Sequence, residues 1–163
     1  MIQLRAPRIA EIDALTSLCT RSKAAWGYDA AFMARCTTEL TVTPDDIADG
    51  CVQVAQEGND ILGVVQIICA GEEAEIGKLF VEPGKMRCGV GRRLFDWAVR
   101  EARARGARWL LIDADPHAVA FYRRMGAVDG GEVPSESIPG RMLPRLTLLL
   151  DGSQNQAVDQ EIP

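Results

Sequence analysis

The sequence predicts an α/β domain with a mixed, mostly antiparallel central sheet covered by helices. Two observations carry this expectation. Short β-rich runs with apolar residues at every second position alternate along the chain with longer runs of helical period. The 163 residues also suit a single core, being 47% hydrophobic and 25% charged, a balance that excludes disorder and collagen-like structure.

Residues 2–6 alternate and form the first strand, and residues 7–20 set Ile9, Ile12, Leu15, Leu18 and Cys19 at helical spacing. A second helical stretch, 29–40, follows the turn Trp26-Gly27-Tyr28. Thr43-Pro44-Asp45-Asp46 is a helix start, with Thr43 or Asp45 as its cap. Residues 51–57 alternate, Gly58-Asn59-Asp60 turns, and 61–70 is apolar and β-branched, so the two runs form a hairpin. The strand 75–81 comes next and stops at Glu82-Pro83-Gly84. Residues 89–106 make a helix with Leu94, Phe95, Ala98, Val99 and Ala102 on one stripe and Gly106 at its end. A buried strand, 109–114, precedes a helix that Pro116 opens and Gly126 ends. Strands 127–133 and 146–150 flank a Pro/Gly/Ser loop. The domain is thus expected over 1–150, with 151–163 a polar, flexible tail.

The formal charge is −5, but residues 85–108 hold eight basic and two acidic side chains, which leaves −11 for the rest. Such a chain is ill suited to wrapping nucleic acid and well suited to holding one small polyanion. The longest apolar run, 61–70, is broken by Gly63 and Gln66 and falls short of the ~20 residues of a membrane span. The first residues lack the basic and apolar regions of a secretory signal, so a cytoplasmic location is expected. Five scattered cysteines with no CxxC pair, beside a single histidine, read as reduced thiols and argue against a metal site.

The segment 79–94 carries the chemistry: a strand, a Gly-rich turn, then an arginine-flanked helix start. Gly89 and Gly91 let the backbone approach a ligand, the amides of residues 90–93 point outward unpaired, and the helix dipole adds positive potential. A phosphate or pyrophosphate satisfies those donors. The turn lacks the Gly-Lys-Ser/Thr of a nucleotide-hydrolysing loop, and Leu94 stands where a dinucleotide fingerprint needs glycine.

Leu79-x-Val81-x-Pro83, then Gly89-Val90-Gly91-Arg92, then Phe121-Tyr122-Arg123-Arg124-Met125-Gly126 together resemble the GNAT superfamily of acyl-CoA-dependent N-acyltransferases, over residues 2–150. The family's loop runs Gln/Arg-x-x-Gly-x-Gly/Ala; Met86 departs from its first position, and Arg87 is expected to supply the charge from next door. The resemblance implies acetyl-CoA in a V-shaped splay between the strands 75–81 and 109–114. Backbone groups of Leu79, Phe80 and Val81 meet the pantetheine arm, and Met86, Arg87, Cys88, Gly89, Val90, Gly91 and Arg92 surround the pyrophosphate. Residues 113–122 resemble the family's Asp-Pro-Asn-Ala-x-x-Phe-Tyr block, which adds Asp115, His117 and Phe121 to the cofactor set.

The resemblance also implies Tyr122 as the acid that protonates the departing thiolate, a task suited to a phenol of pKa ~10. The amine must lose a proton before attack, and Glu75 or a water chain is expected to take it. Alternation sets Glu75, Gly77 and Leu79 on one face of their strand and Ile76, Lys78 and Phe80 on the other. The acceptor is expected between residues 22–29 and 134–144, against Trp26, Tyr28, Ser135 and Arg141. The expected function is direct transfer of an acetyl group to a primary amine, either a small cationic molecule or a protein or peptide amine. Neither nucleic acid, membrane nor metal is called for, and a homodimer is compatible with the reading. The rival is a non-catalytic module that binds acyl-CoA to sense or regulate.

Overall fold

The computed structural model describes residues 1–151, so everything beyond Asp151 in the expected tail lies outside the described residues. Seven strands, β1 (Gln3–Arg5), β2 (Val52–Glu57), β3 (Asp60–Ala70), β4 (Glu73–Val81), β5 (Trp109–Asp113), β6 (Val128–Pro134) and β7 (Met142–Leu149), form one sheet in the order β1-β2-β3-β4-β5-β7-β6. Every neighbouring pair is antiparallel except β4 with β5. The helices are α1 (Ile12–Ala24), α2 (Ala30–Arg35), α3 (Thr37–Leu40), α4 (Pro44–Ala48), α5 (Val90–Ala104) and α6 (Val119–Arg124). This is the mixed, mostly antiparallel sheet with flanking helices that the alternation predicts.

The sheet has an apolar core on each face. The stripe Leu94, Phe95, Ala98 and Ala102 of α5 packs on Val65, Ile67, Ile76, Leu110 and Ile112. On the other face Leu15, Leu18 and Cys19 of α1 pack with Leu40, Val54 and Val64. Each fully buried Leu, Val or Phe here contributes about 1.5–3 kcal/mol relative to exposure.

The helical stretch expected over 29–40 is two helices that meet at Cys36. The Thr37 hydroxyl donates to the Ala34 carbonyl (2.9 Å), a side-chain bond of the kind that competes with the helix ladder, and Thr37 and Thr38 are weak helix formers. After β5, the turn Pro116–Ala118 is 3-10 and the α-helix proper starts only at Val119. The last strand, expected from 146, begins at Met142.

The strand that positions the site carries a larger correction. In the β3–β4 ladder Gln66 faces Lys78 but Ile67 faces Ile76, so Gly77 is an extra residue, a bulge. The bulge reverses the alternation downstream. Ile76 shares the α5 face with Leu79 and Val81, whereas Phe80 joins the α1 face, on which Glu75 and Lys78 also fall. A Cβ at position 77 would lie 2.9 Å from Gln66 Oε1 and 3.0 Å from Ile68 Cδ1, so the position favours glycine on packing as well.

β4 and β5 pair over only three residues, Glu73 with Trp109, Ala74 with Leu110 and Glu75 with Leu111. Beyond Glu75 the strands part. The β5-facing backbone groups over Ile76–Val81 are left without a strand partner, a V whose inner wall is peptide amide and carbonyl.

Candidate active site

The V opens into a cavity of about 710 Å³, within the usual range for a small-molecule site. Its floor is Leu79, Phe80 and Val81 on one strand and Ile112, Asp113 and Ala114 on and after the other. One end reaches the turn before α5, where Met86, Arg87, Gly89, Gly91 and Arg92 line it. Gly89 caps the helix at φ +82°, where it supplies no side-chain cap, so the amides of residues 90–92 stay open to a ligand, whereas that of Arg93, expected to be open too, donates to the Gly89 carbonyl (3.2 Å). Arg87, at φ +64°, is the one non-glycine residue with positive φ among the described residues. That conformation costs on the order of 1 kcal/mol and is concentrated at sites that must hold a backbone shape. A Cβ on Gly91 would stand 3.4 Å from two ring carbons of Phe121, so the helix start and α6 are in contact across the cavity's edge. Arg87, Arg92 and Arg124 line this end and no carboxylate does, among the described residues. Two residues of the expected cradle are not on its wall. Val90 is 1% exposed and packs inward, and Cys88 is solvent-exposed, its Sγ 3.7 Å from the Met86 carbonyl.

Tyr122 lies where the two strands part. Its ring is 5% exposed and packs against Phe95 and Phe121, yet it lines the cavity. Burial pushes its phenol well above the ordinary value of about 10. The hydroxyl is therefore protonated across the working pH range and available as a donor.

Glu75 does not line the cavity; Asp113 does. Arg145 holds Asp113 by two bonds, Nε to Oδ1 at 2.7 Å and Nη2 to Oδ2 at 2.9 Å. Half-burial raises the Glu75 pKa first and the neighbouring Asp113 charge second, with Arg145 opposing and the more distant Glu136 adding to the rise. The arrangement is a carboxylate pair behind the wall, one member of which reaches the cavity.

The opposite end is built from side chains. The Tyr28 hydroxyl donates to Asp115 Oδ2 (2.7 Å) and accepts from Arg141 Nη2 (2.8 Å). Burial, then the bond to Asp115, pushes that phenol up to about 12. Tyr28 stands behind the wall, its ring stacked 4.0 Å on Phe32 and covered by Arg141, while Trp26 stacks on His117 at 5.0 Å. Trp26, Ser135, Arg141, Asp115 and His117 all line the cavity. Asp115 and His117, expected to touch the cofactor, line the cavity and are in contact with Tyr28 and Trp26. Ser135 folds its own loop, its hydroxyl accepting from the amides of Ser137 (3.3 Å) and Ile138 (3.1 Å). Lys23 and Glu39, joined at 3.1 Å, and Lys78 also line this end and have no signature in the sequence. Only the whole fold brings them there, although Lys23 lies within the expected segment 22–29. The acid excess of the chain does not gather on the wall, which carries six basic side chains and three acidic ones.

A family model described as an acetyltransferase (GNAT) domain matches residues 48–126. Residues 48–126 are thus similar to a GNAT acetyltransferase domain. The matched residues span β2 through α6 and so include the bulge, the splay and the turn described above. An IAA acetyltransferase of Azospirillum brasilense is 33% identical over 72 residues, which cover 42% of this chain and 47% of that protein. The alignment thus spans about half the length of that relative. Among solved structures, the PaiA N-acetyltransferase of Thermoplasma acidophilum, in complex with coenzyme A, matches with a TM-score of 0.74 over 91% of this chain and 99% of its own, at 13% identity. YncA of Salmonella typhimurium, with its cofactor acetyl-CoA, matches at 0.67 over 100% and 98%, at 17% identity. These two likenesses show the fold. Among the described residues, no group of three or more His, Cys, Asp or Glu side chains is placed to hold a metal ion, and no helix is long and apolar enough to cross a membrane.

Proposed function

We propose that residues 1–150 form one domain that transfers an acetyl group from acetyl-CoA to an amine by direct attack. The observation that carries this reading is the three-residue β4–β5 pairing beside an uncapped, arginine-flanked helix start. An unpaired strand edge suits an extended amide chain such as pantetheine, and open helix amides suit a diphosphate. Both belong to one carrier. Leu79, Phe80 and Val81 bond the arm through their backbone, Met86, Arg87, Gly89, Gly91 and Arg92 cradle the diphosphate, and Arg87 and Arg92 add charge at its rim. Met86 costs little here because the amides do the holding. Phe121 backs the turn.

Binding fixes the thioester near Tyr122 and a backbone amide at Phe80 or Val81 that polarises its carbonyl. The amine nitrogen forms a bond to the carbonyl carbon and loses a proton toward the Glu75–Asp113 pair, through water where Glu75 is set back. The carbon–sulfur bond then breaks, and the Tyr122 hydroxyl gives its hydrogen to the sulfur as charge develops there. The Azospirillum relative, an acetyltransferase, and the coenzyme A and acetyl-CoA bound by the solved relatives support this reading.

Release of free thiol from acetyl-CoA, followed with a thiol reagent across an amine panel, tests the proposal. Acceptor-dependent release supports an enzyme. Tight acetyl-CoA binding with no release by any amine would instead support a sensor.

A further inference from the structure

We infer that the acceptor is zwitterionic, an amine that carries its own carboxylate, as an amino acid does. The inference rests on the acetyltransfer reading above and names its substrate class. It comes from where the charges on the acceptor wall are answered and where they are not.

Three cations line that wall from three separate elements: Lys23 on α1, Lys78 on β4 and Arg141 in the loop before β7. Two carboxylates face them. Glu39 meets Lys23 at 3.1 Å, and Asp115 is shared between Lys23 at 3.7 Å and Arg141 at 3.6 Å. Asp115 is further occupied by the Tyr28 hydroxyl and the His117 amide. Lys78 has no carboxylate within 4 Å among the described residues. Its ammonium donates to Gln66 Oε1 (3.0 Å), and the Gln66 amide donates to Asp46 Oδ1 (2.7 Å). Gln66 is 6% exposed, so this relay holds Lys78 in place from behind without neutralising it at contact. Arg141 uses one of its five N–H groups on Tyr28. The wall therefore has one positive charge more than its carboxylates answer, on side chains already held in position.

The opposite imbalance lies on the same face of β4. Glu75 and Asp113 share one cation, Arg145, with Glu136 nearby, which leaves that group net negative. The bulge at Gly77 is what places Glu75 and Lys78 on one face. A cationic amine thus has one pole and a carboxylate the other. A polyamine satisfies the first and faces an unanswered cation at the second. Two half-buried poles of opposite sign favour a ligand that carries both groups, because a ligand lacking one leaves the facing charge unmatched.

The test compares an α-amino acid panel, the corresponding amides, the decarboxylated amines and a polyamine in the thiol-release assay, with wild type, Lys78→Gln and Lys78→Arg. Wild type is expected to prefer amino acids over their amides by at least about tenfold in kcat/KM, the size of one charge-assisted bond. Lys78→Gln is expected to lower that ratio to near one through KM, and Lys78→Arg to keep most of it. Equal use of acids and amides, preference for the polyamine, or a ratio indifferent to Lys78 overturns the zwitterion proposal and leaves acetyltransfer standing. No thiol release with any member of the panel, where calorimetry still detects acetyl-CoA, overturns the acetyltransfer reading beneath it.

Discussion

The two ends of the cavity are made of different materials. The end proposed for the coenzyme is backbone: an unpaired strand edge and the first amides of α5, with arginines only at the rim. The end proposed for the acceptor is side chain: Lys23, Glu39, Lys78, Asp115 and Arg141, drawn from five places in the chain and held by Tyr28, Phe32 and Gln66 behind them. A backbone site tolerates drift in side chains, which is why Met86 and Arg87 can stand in an altered loop. A side-chain site can be retuned by one substitution. On the proposed function, the fold separates the donor's backbone site from the acceptor's side-chain site.

The comparison can be broken most forcefully at the backbone end. Gly91→Asp is expected to weaken acetyl-CoA binding by at least about 100-fold in calorimetry, since the new carboxylate enters the diphosphate cradle and its Cβ meets Phe121. Unchanged affinity would mean that the diphosphate lies elsewhere. Between the two ends, Tyr122→Phe is expected to lower kcat by about 10²-fold while acetyl-CoA affinity and folding hold, because the ring keeps its packing on Phe95 and Phe121. A turnover equal to wild type would remove Tyr122 from the chemistry.

Glu75→Gln is expected to cost about tenfold in turnover and to abolish the acidic limb of the kcat/KM profile. The sign follows from the raised Glu75 pKa. The base works only when deprotonated, so activity rises with pH through a midpoint above the ordinary carboxylate value. Stability moves the other way. The folded state holds this proton more tightly than the unfolded one, so ionisation lowers stability as pH rises through the folded value. Removing the charge is expected to raise Tm at pH 7 by no more than about 2 °C, the carboxyl being partly solvated. A lowered Tm would reverse this account of Glu75. The smallest effect sharpens the boundary: Asp115→Asn is expected to raise the acceptor KM several-fold with acetyl-CoA affinity unchanged, whereas a cofactor role for Asp115 would move the affinity instead.

The same contrast explains what could be read from the chain beforehand. The turn 86–92 was legible because a backbone site needs glycines and a helix start, which are contiguous in sequence. The sheet was legible from periodicity. The bulge was not, since which residue is extra depends on the register against β3, although Gly77 inside a strand run is the one local sign of it. Missing it put Glu75 with Leu79 and separated it from Lys78. Asp115 and His117 meet Tyr28 and Trp26, which reach them from some 90 residues away, a contact no local pattern encodes. Lys78 in a strand and Lys23 in a helix read as ordinary solvated cations until the fold turns both inward.

The grip on the diphosphate is the central claim, and calorimetry with two ligands addresses it: acetyl-CoA, and acetyl-pantetheine, which keeps the thioester and arm but lacks the diphosphate and nucleotide. The account predicts at least 100-fold weaker binding of acetyl-pantetheine, on the order of 3 kcal/mol. Equal affinities for the two, or no heat from acetyl-CoA, would contradict it.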